Sequence, residues 1–265
     1  MSIKLAFSTL ACPEYNINEI VKIAKNAGYS GVELRSYGVD NHIDITASQE
    51  KREEVRKKFE ENNIDICCLA GYTRFDTKDQ LEKQIAKLKE LIKLASDLNV
   101  PYIRTFGGQV SLIQEAFNQV AEVAEEFEVK ILLETHDILS RGEEIVKVFD
   151  KVDSDYFGVI WDVKHTVSAG ESLEETIGYL KDYIYHVHIK DWISVPDYVS
   201  VTNQEAGHLV LLGAGELQID KVIELLNDIS YDGYLSLEWE KPWLPEIEES
   251  DIALYQYALK LKELL

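Results

Sequence analysis

Apolar runs of strand length alternate with amphipathic stretches from one end of the chain to the other. The strand candidates are residues 4–9, 31–35, 64–70, 101–106, 129–134, 156–162, 183–190 and 234–239. Between them the spacing predicts helices near 16–27, 48–62, 78–98, 111–127, 141–151, 172–180, 217–229 and 249–264. The 78–98 segment shows the helical period well, with Leu81, Ile85, Leu88, Leu91, Ile92 and Ala95 on one stripe. Eight strands each followed by a helix imply a parallel sheet with right-handed crossovers. Eight units of about 30 residues fill the usual size of a (β/α)8 barrel. The expectation is one α/β domain, a single (β/α)8 TIM barrel over residues 1–265. No Pro- or Ser-rich linker divides the chain.

Four of these runs end in a polar residue: ILLE at Glu134, GVIWD at Asp162, YIYHVH at His188 and YLSLE at Glu238. A parallel strand covered on both faces should be apolar throughout. Ending four contiguous strands in an acid, an acid, an imidazole and an acid is costly unless the groups share a partner. Three carboxylates and one imidazole suit a divalent cation. Strand alternation places Leu132, Ile160, His186 and Ser236 on the same faces, one layer deeper. The four terminal groups then converge on one half of the barrel mouth, where such enzymes carry their chemistry. His186 reads as a packed, hydrogen-bonded core histidine. Glu240 shares the parity of Glu238 but already precedes the loop signal Lys241–Pro242.

Other polar residues cluster near the same strand ends. His136 follows Glu134 by two, His165 follows Asp162 by three, and Lys190 follows His188 by two. Arg35, Arg74, Arg104, Lys164 and Lys241 are further basic candidates; Arg35 and Arg104 would serve either as ion pairs or as clamps on a substrate oxygen. The longest unassigned stretch, 191–216, holds Asp191, Trp192, Asp197, Glu205 and His208 and no Lys or Arg. A connection that long in a compact domain usually carries function. It ends in LLGAGELQID, where Gly213 and Gly215 would let backbone amides approach an oxygen.

Composition narrows the partners. The formal charge of −21 disfavours nucleic acid and anionic membranes, whose binding draws on Lys and Arg. Cys12, Cys67 and Cys68 form no disulfide framework, and the adjacent pair reads as core. The N-terminal residues lead directly into a strand, and no run approaches membrane-spanning length, so a cytoplasmic protein is expected.

The pieces GVELR (31–35), YIRTFGG (102–108), ILLETH (131–136), GVIWDVKH (158–165), HVHIKD (186–191), LLGAGELQ (211–218) and LSLEW (235–239) together resemble the xylose-isomerase-like superfamily, most closely its sugar phosphate isomerase/epimerase branch. The resemblance implies a TIM barrel binding one divalent ion (Mn, Co, Mg or Zn) through Glu134, Asp162, His188 and Glu238. It implies an isomerase or epimerase of sugars or sugar phosphates, with dehydratases of inosose and dehydroshikimate type as the alternative, and a non-catalytic sugar- or metal-binding relative as a third reading. All three reactions begin with removal of a proton alpha to a carbonyl. Glu134 and Glu238 are expected to flank the substrate as the proton-transfer pair, with His165 polarising its oxygen. His165, His136, Lys190, Arg35 and Trp192 are the expected substrate contacts. The partner is a small sugar, sugar phosphate or cyclic polyol, with a homo-oligomer possible. Relatives that cleave DNA at abasic sites need further His and Asp ligands. The RTFGG end of the fourth strand carries no His, and no Asp-x-His follows HVHIKD. The ketose 3-epimerases place an Arg shortly after the seventh-strand His, and residues 191–212 have none.

Overall fold

The computed structural model describes residues 3–36, 42–194 and 208–265; the loop candidates Asp197 and Glu205 lie outside them. In chain order the strands are β1 (Lys4–Ser8), β2 (Gly31–Arg35), β3 (Asp65–Ala70), β4 (Tyr102–Thr105), β5 (Lys130–Glu134), β6 (Phe157–Asp162), β7 (Ile184–Ile189), β8 (Asp191–Ile193), β9 (His208–Val210) and β10 (Tyr234–Leu237). Eight of them close a parallel barrel in the order β1-β10-β7-β6-β5-β4-β3-β2, as the alternating pattern predicts. Strands β8 and β9 stand apart as a short antiparallel pair. The helices are α1 (Ile17–Ala27), α2 (Gln49–Glu60), α3 (Lys78–Asp97), α4 (Val110–Glu126), α5 (Gly142–Phe149), α6 (Val163–Ser168), α7 (Leu173–Leu180), α8 (Ile219–Asp228) and α9 (Ser250–Leu264).

The helices form where apolar stripes and caps coincide. Every member of the α3 stripe named above is buried against the sheet. Capping boxes start α1 at Asn16/Glu19 and α7 at Ser172/Glu175, satisfying amides that have no partner within the helix. Gly28 ends α1 in the left-handed conformation, at φ 79°. Most of the apolar core lies between strands and helices. Inside the barrel the filling is smaller: Cys68, Leu132 and Ile160 pack as one cluster, and Ala6, Cys67 and Tyr234 as another. All three cysteines are buried and unpaired.

Pairing in register carries the strand ends to one level. Asp162 of β6 lies opposite His188 of β7, and Ser236 of β10 lies opposite that same histidine. Glu238 follows two residues later, its amide bonded to the Ile189 carbonyl.

The β8–β9 pair and helix α6 were not expected from the pattern, and both matter. Asp191, the first residue of β8, is fully buried. One carboxylate oxygen accepts the amides of Gly213 (2.7 Å) and Gly215 (3.0 Å), and the other those of Trp192 and Leu217 (both 2.9 Å). The glycine turn thus does bring amides to an oxygen, and that oxygen belongs to the protein. A side chain at Gly215 would meet the Trp192 carbonyl and the Asp191 carboxylate at 2.3 and 2.4 Å. Tyr257 of α9 adds a hydroxyl that accepts the Asp191 amide and donates to the Val210 carbonyl. Trp192, expected to touch substrate, is packed into the core beside this turn and does not line the mouth.

Asp191→Ala would strand the buried amides of Trp192 and Leu217, each costing about 1–3 kcal/mol if left unsatisfied, while those of the exposed Gly213 and Gly215 turn to water. We expect about 2–5 kcal/mol of lost stability, with Asp191→Asn intermediate, read from urea unfolding midpoints.

Candidate metal centre and active site

Glu134, Asp162, His188 and Glu238 each offer one atom to a group in which all such atoms lie within 4.8 Å of one another. All four side chains are buried. The residues named at the four strand ends are thus brought together, with Glu238 rather than Glu240 among them; the Glu240 carboxylate meets Lys190 at 2.7 Å.

Local structure aims each donor. Asp162 caps α6: its Oδ1 accepts the His165 amide at 3.1 Å, which turns Oδ2 toward the group. Thr135 locks the strand end by accepting the Asp162 amide at 2.8 Å. His188 Nε2 donates to Glu33 Oε2 at 2.7 Å, which leaves Nδ1 turned toward the group. His186 meets the same Glu33 oxygen at 3.0 Å from one layer below, the packed role expected of it. Glu33 is thus a supporting residue that the sequence reading missed; its signal was an acid between the apolar Val32 and Leu34 of GVELR.

Three buried atoms of the group, Glu134 Oε2, Asp162 Oδ2 and His188 Nδ1, have no hydrogen-bond partner among the described residues. Arg104 and Lys190 reach the two carboxylate oxygens as ion pairs, and what the group offers a divalent cation is its donor set, three carboxylates and one imidazole nitrogen.

Two basic residues reach the same carboxylates. Arg104 of β4 lies 2.9 Å from Glu238 Oε1 and 3.2 Å from Glu134 Oε2. Lys190 lies 2.8 Å from Asp162 Oδ2 and 2.6 Å from Glu238 Oε2. Both cations are buried, and burial alone would lower their proton affinity. The surrounding carboxylates, Glu134 foremost for Arg104 and Asp162 for Lys190, outweigh it and raise both well above their ordinary values. Burial likewise works to raise the carboxyls, but Lys190, His188 and Arg104 hold Glu238 well below the usual range, and Arg104 lowers Glu134. Arg104 is therefore an ion pair within the site, one of the two roles open to it from sequence.

The mouth above this group is a cavity of about 650 Å³. His136, His165, Glu134 and Glu238 line it, with Tyr72, Arg74, Phe106, Lys164 and Trp243 around them. The His136 and His165 rings meet edge to face, 4.5 Å between centroids. His165 Nδ1 donates to the Thr135 carbonyl at 2.9 Å. Burial, reinforced by Lys190, pushes its pKa down to about 3, so it is a neutral imidazole with a lone pair on Nε2. Arg35 stands one layer back: it donates to the Tyr72 hydroxyl at 2.9 Å and sits between the Tyr72 and Trp243 rings. It is not itself a lining residue of the mouth. Lys190 acts on the site's carboxylates from beneath.

A closed parallel barrel whose strand ends converge on a metal-type ligand set defines a class of TIM-barrel enzyme scaffold. The profile of the xylose isomerase-like TIM barrel family matches residues 21–258, and the chain belongs to that family. Among curated proteins it is 26% identical to a 3-dehydroshikimate dehydratase of Bacillus anthracis, over 84% of this chain and 85% of that protein. It is 21% identical to an inosose isomerase of Halalkalibacterium halodurans over 86% of the chain and 84% of the relative. An inosose dehydratase of Clostridium perfringens matches at 25% over 49% of the chain and 46% of its own length. Among solved structures, a probable 3-dehydroshikimate dehydratase of Bacillus anthracis superposes with a TM-score of 0.79 at 23% identity, covering 98% of this chain and 99% of that one. The IolI protein with a bound zinc atom does so with a TM-score of 0.79 at 18% identity, covering 99% and 98%. No described helix is long and apolar enough to cross a membrane.

If Glu33 orients His188, Glu33→Gln should weaken Mn binding by about 10–100-fold, the usual effect of losing such a partner. His188→Ala should weaken it further. Calorimetric titration of chelator-treated protein measures both, and unchanged affinity in His188→Ala removes that residue from the ligand set.

Proposed function

We propose that this protein is a metal-dependent lyase that removes water from a small cyclic polyhydroxy ketone, by abstraction of a proton alpha to the carbonyl. The observation that carries this reading is the asymmetry of the proton-transfer groups around the ligand set. Glu134 and Glu238 are both tied to Arg104, and Glu238 also to Lys190. Carboxylates so paired make good ligands and weak bases. The imidazoles of His136 and His165 stand together on one side of the mouth. Epimerisation needs proton exchange on two opposite faces of the substrate, whereas elimination of water needs it on one.

Glu134, Asp162, His188 and Glu238 would hold the cation. A divalent ion there would supply Lewis acidity, drawing electrons from a carbonyl and acidifying the neighbouring carbon. His136 takes the alpha proton. As the carbon–oxygen bond beyond it breaks and the carbon–carbon double bond forms, the His136 imidazolium returns that proton to the departing hydroxyl, which leaves as water. His165, neutral and anchored on Thr135, accepts a hydrogen bond from a substrate hydroxyl through Nε2. Arg104 and Lys190 offset the buried negative charge. The relatives named for dehydratases of 3-dehydroshikimate and inosose support both the reaction class and the cyclic substrate.

A second reading is an isomerase. It draws on Glu134 and Glu238 lying on opposite sides of Asp162 and His188 in strand order, the flanking arrangement of a proton-transfer pair, and on the inosose isomerase relative.

Incubation of Mn-loaded protein with 3-dehydroshikimate and with inosose in heavy water separates the two. Product lighter by one water supports the lyase. Product of unchanged mass carrying deuterium alpha to the carbonyl supports the isomerase. Neither change with either compound removes these substrates. For the lyase, His136→Gln should lower kcat by about 10²–10⁴-fold, the usual worth of a positioned base. If Glu134→Gln and Glu238→Gln instead lose turnover while keeping Mn, the carboxylates are the proton-transfer pair and the histidine mechanism fails.

A further inference from the structure

Beside the four-ligand group lies a second set of metal-type donors. Strand β5 ends at Glu134, and His136 keeps an extended backbone, at φ −154°, so alternation puts the two side chains on one face. Helix α6 carries His165 in from the end of the next strand. Glu134, His136 and His165 each offer one atom, and these atoms lie within 4.8 Å of one another. All three residues line the mouth. The His136 and His165 side chains are 27% and 18% exposed, so an ion can reach them from solvent. Both rings are held in place before anything binds. His165 Nδ1 donates to the Thr135 carbonyl at 2.9 Å, the kind of outer partner that metal-bound histidines commonly have. The His165 ring packs edge to face on His136, and His136 does the same on Phe106, with centroids 4.5 and 4.8 Å apart. His136 Nδ1 is buried and has no hydrogen-bond partner among the described residues; Asp137 Oδ2 lies 2.9 Å away, outside hydrogen-bond geometry.

We propose that Glu134, His136 and His165 form a second cation site, which shares Glu134 with the first and takes zinc in preference to manganese. Donor chemistry separates the two sites. Three carboxylates and one imidazole make the first set rich in oxygen, which suits manganese or magnesium. Two imidazoles and one carboxylate make the second rich in nitrogen, which suits zinc and leaves it a fourth position for water. The second ion binds the more weakly, because Glu134 already pairs with Arg104 at 3.2 Å and would serve two cations at once. Occupation has a consequence that rests on the proposed use of His136 as the base. An imidazole nitrogen that binds zinc has no lone pair left for a substrate proton. Zinc at the second site therefore inhibits, whereas an ion at the first is required.

Counting bound zinc decides the site without turnover. Chelator-treated protein is dialysed to equilibrium against buffered free zinc, and the bound metal is measured by mass spectrometry. The wild type should bind two zinc ions per chain and, dialysed against manganese instead, one. His136→Ala and His165→Ala should each bind one zinc ion and still one manganese. His165→Ala keeps the backbone amide that Asp162 accepts, so the first site survives the change. His136→Gln and His165→Gln, which keep a polar side chain, repeat the count if an alanine variant fails to fold. A single zinc ion in the wild type overturns the proposal. Two zinc ions retained when both histidines are replaced also overturn it, since the second ion then sits elsewhere. Two manganese ions in the wild type overturn the selectivity. With 3-dehydroshikimate as the probe, kcat of the two-zinc enzyme should lie about 10²-fold or more below that of the one-zinc enzyme, as for loss of a positioned base. Equal rates overturn the inhibition. If neither form turns over this compound, the dehydratase reading falls, and the zinc count still decides the site.

Discussion

Everything at the mouth depends on how the barrel carries buried charge. Glu33, Glu134, Asp162 and Glu238 bring four carboxylates inside a structure whose walls are apolar, with Glu240 partly exposed just above. An unpaired charge there would cost several kcal/mol. Arg104 and Lys190 meet this by bridging: each cation spans carboxylates from different strands rather than pairing with one. Bridges of this kind tie β4, β5, β6 and β10 together at the level where a ligand would sit. A divalent ion would add to a lattice of charges already arranged around it. The protein contributes its share of that order before anything binds, which is the general condition for electrostatic preorganisation.

How far the site was legible follows from this arrangement. The four convergent residues could be read because they interrupt apolar runs at the same relative place, and because alternation along a strand is a strict rule. Lys190 and His136 followed by the same parity. Glu33 and Arg104 were harder. Each lies inside a run, GVELR or YIRTF, where a single polar residue is equally well explained as a pair with any of the chain's many acids or bases. Only the three-dimensional neighbourhood shows which. Tyr72, Phe106 and Trp243 carry no sequence signal at all, since an aromatic residue near a strand end usually packs into the core. Trp192 shows the converse: its place after HVHIKD suggested substrate, and the structure packs it into the core beside the Asp191 turn.

The elements missed by pattern were short ones. Helix α6 spans only Val163–Ser168, too few residues to display a period, and β8 and β9 have three residues each. Both are held by specific polar capture, Asp162 capping the helix and Asp191 gathering four amides. Such anchors depend on where one carboxylate points, which hydrophobic spacing does not encode. The eight long strands and the α3 stripe, by contrast, are set by burial summed over many residues, and they fell within a residue or two of expectation.

The Asp191 turn has a consequence for how this scaffold can vary. The strands at either end of residues 194–207 are paired to each other through β8 and β9, and the turn that follows is fastened to β8 by one side chain. The chain is thereby closed on itself before it returns to α8. Chain length between those paired ends can therefore change without shifting the barrel register that seats His188 on β7 and carries Lys190 and Glu238 just past β7 and β10; variation is confined to a side branch that the ladder does not feel.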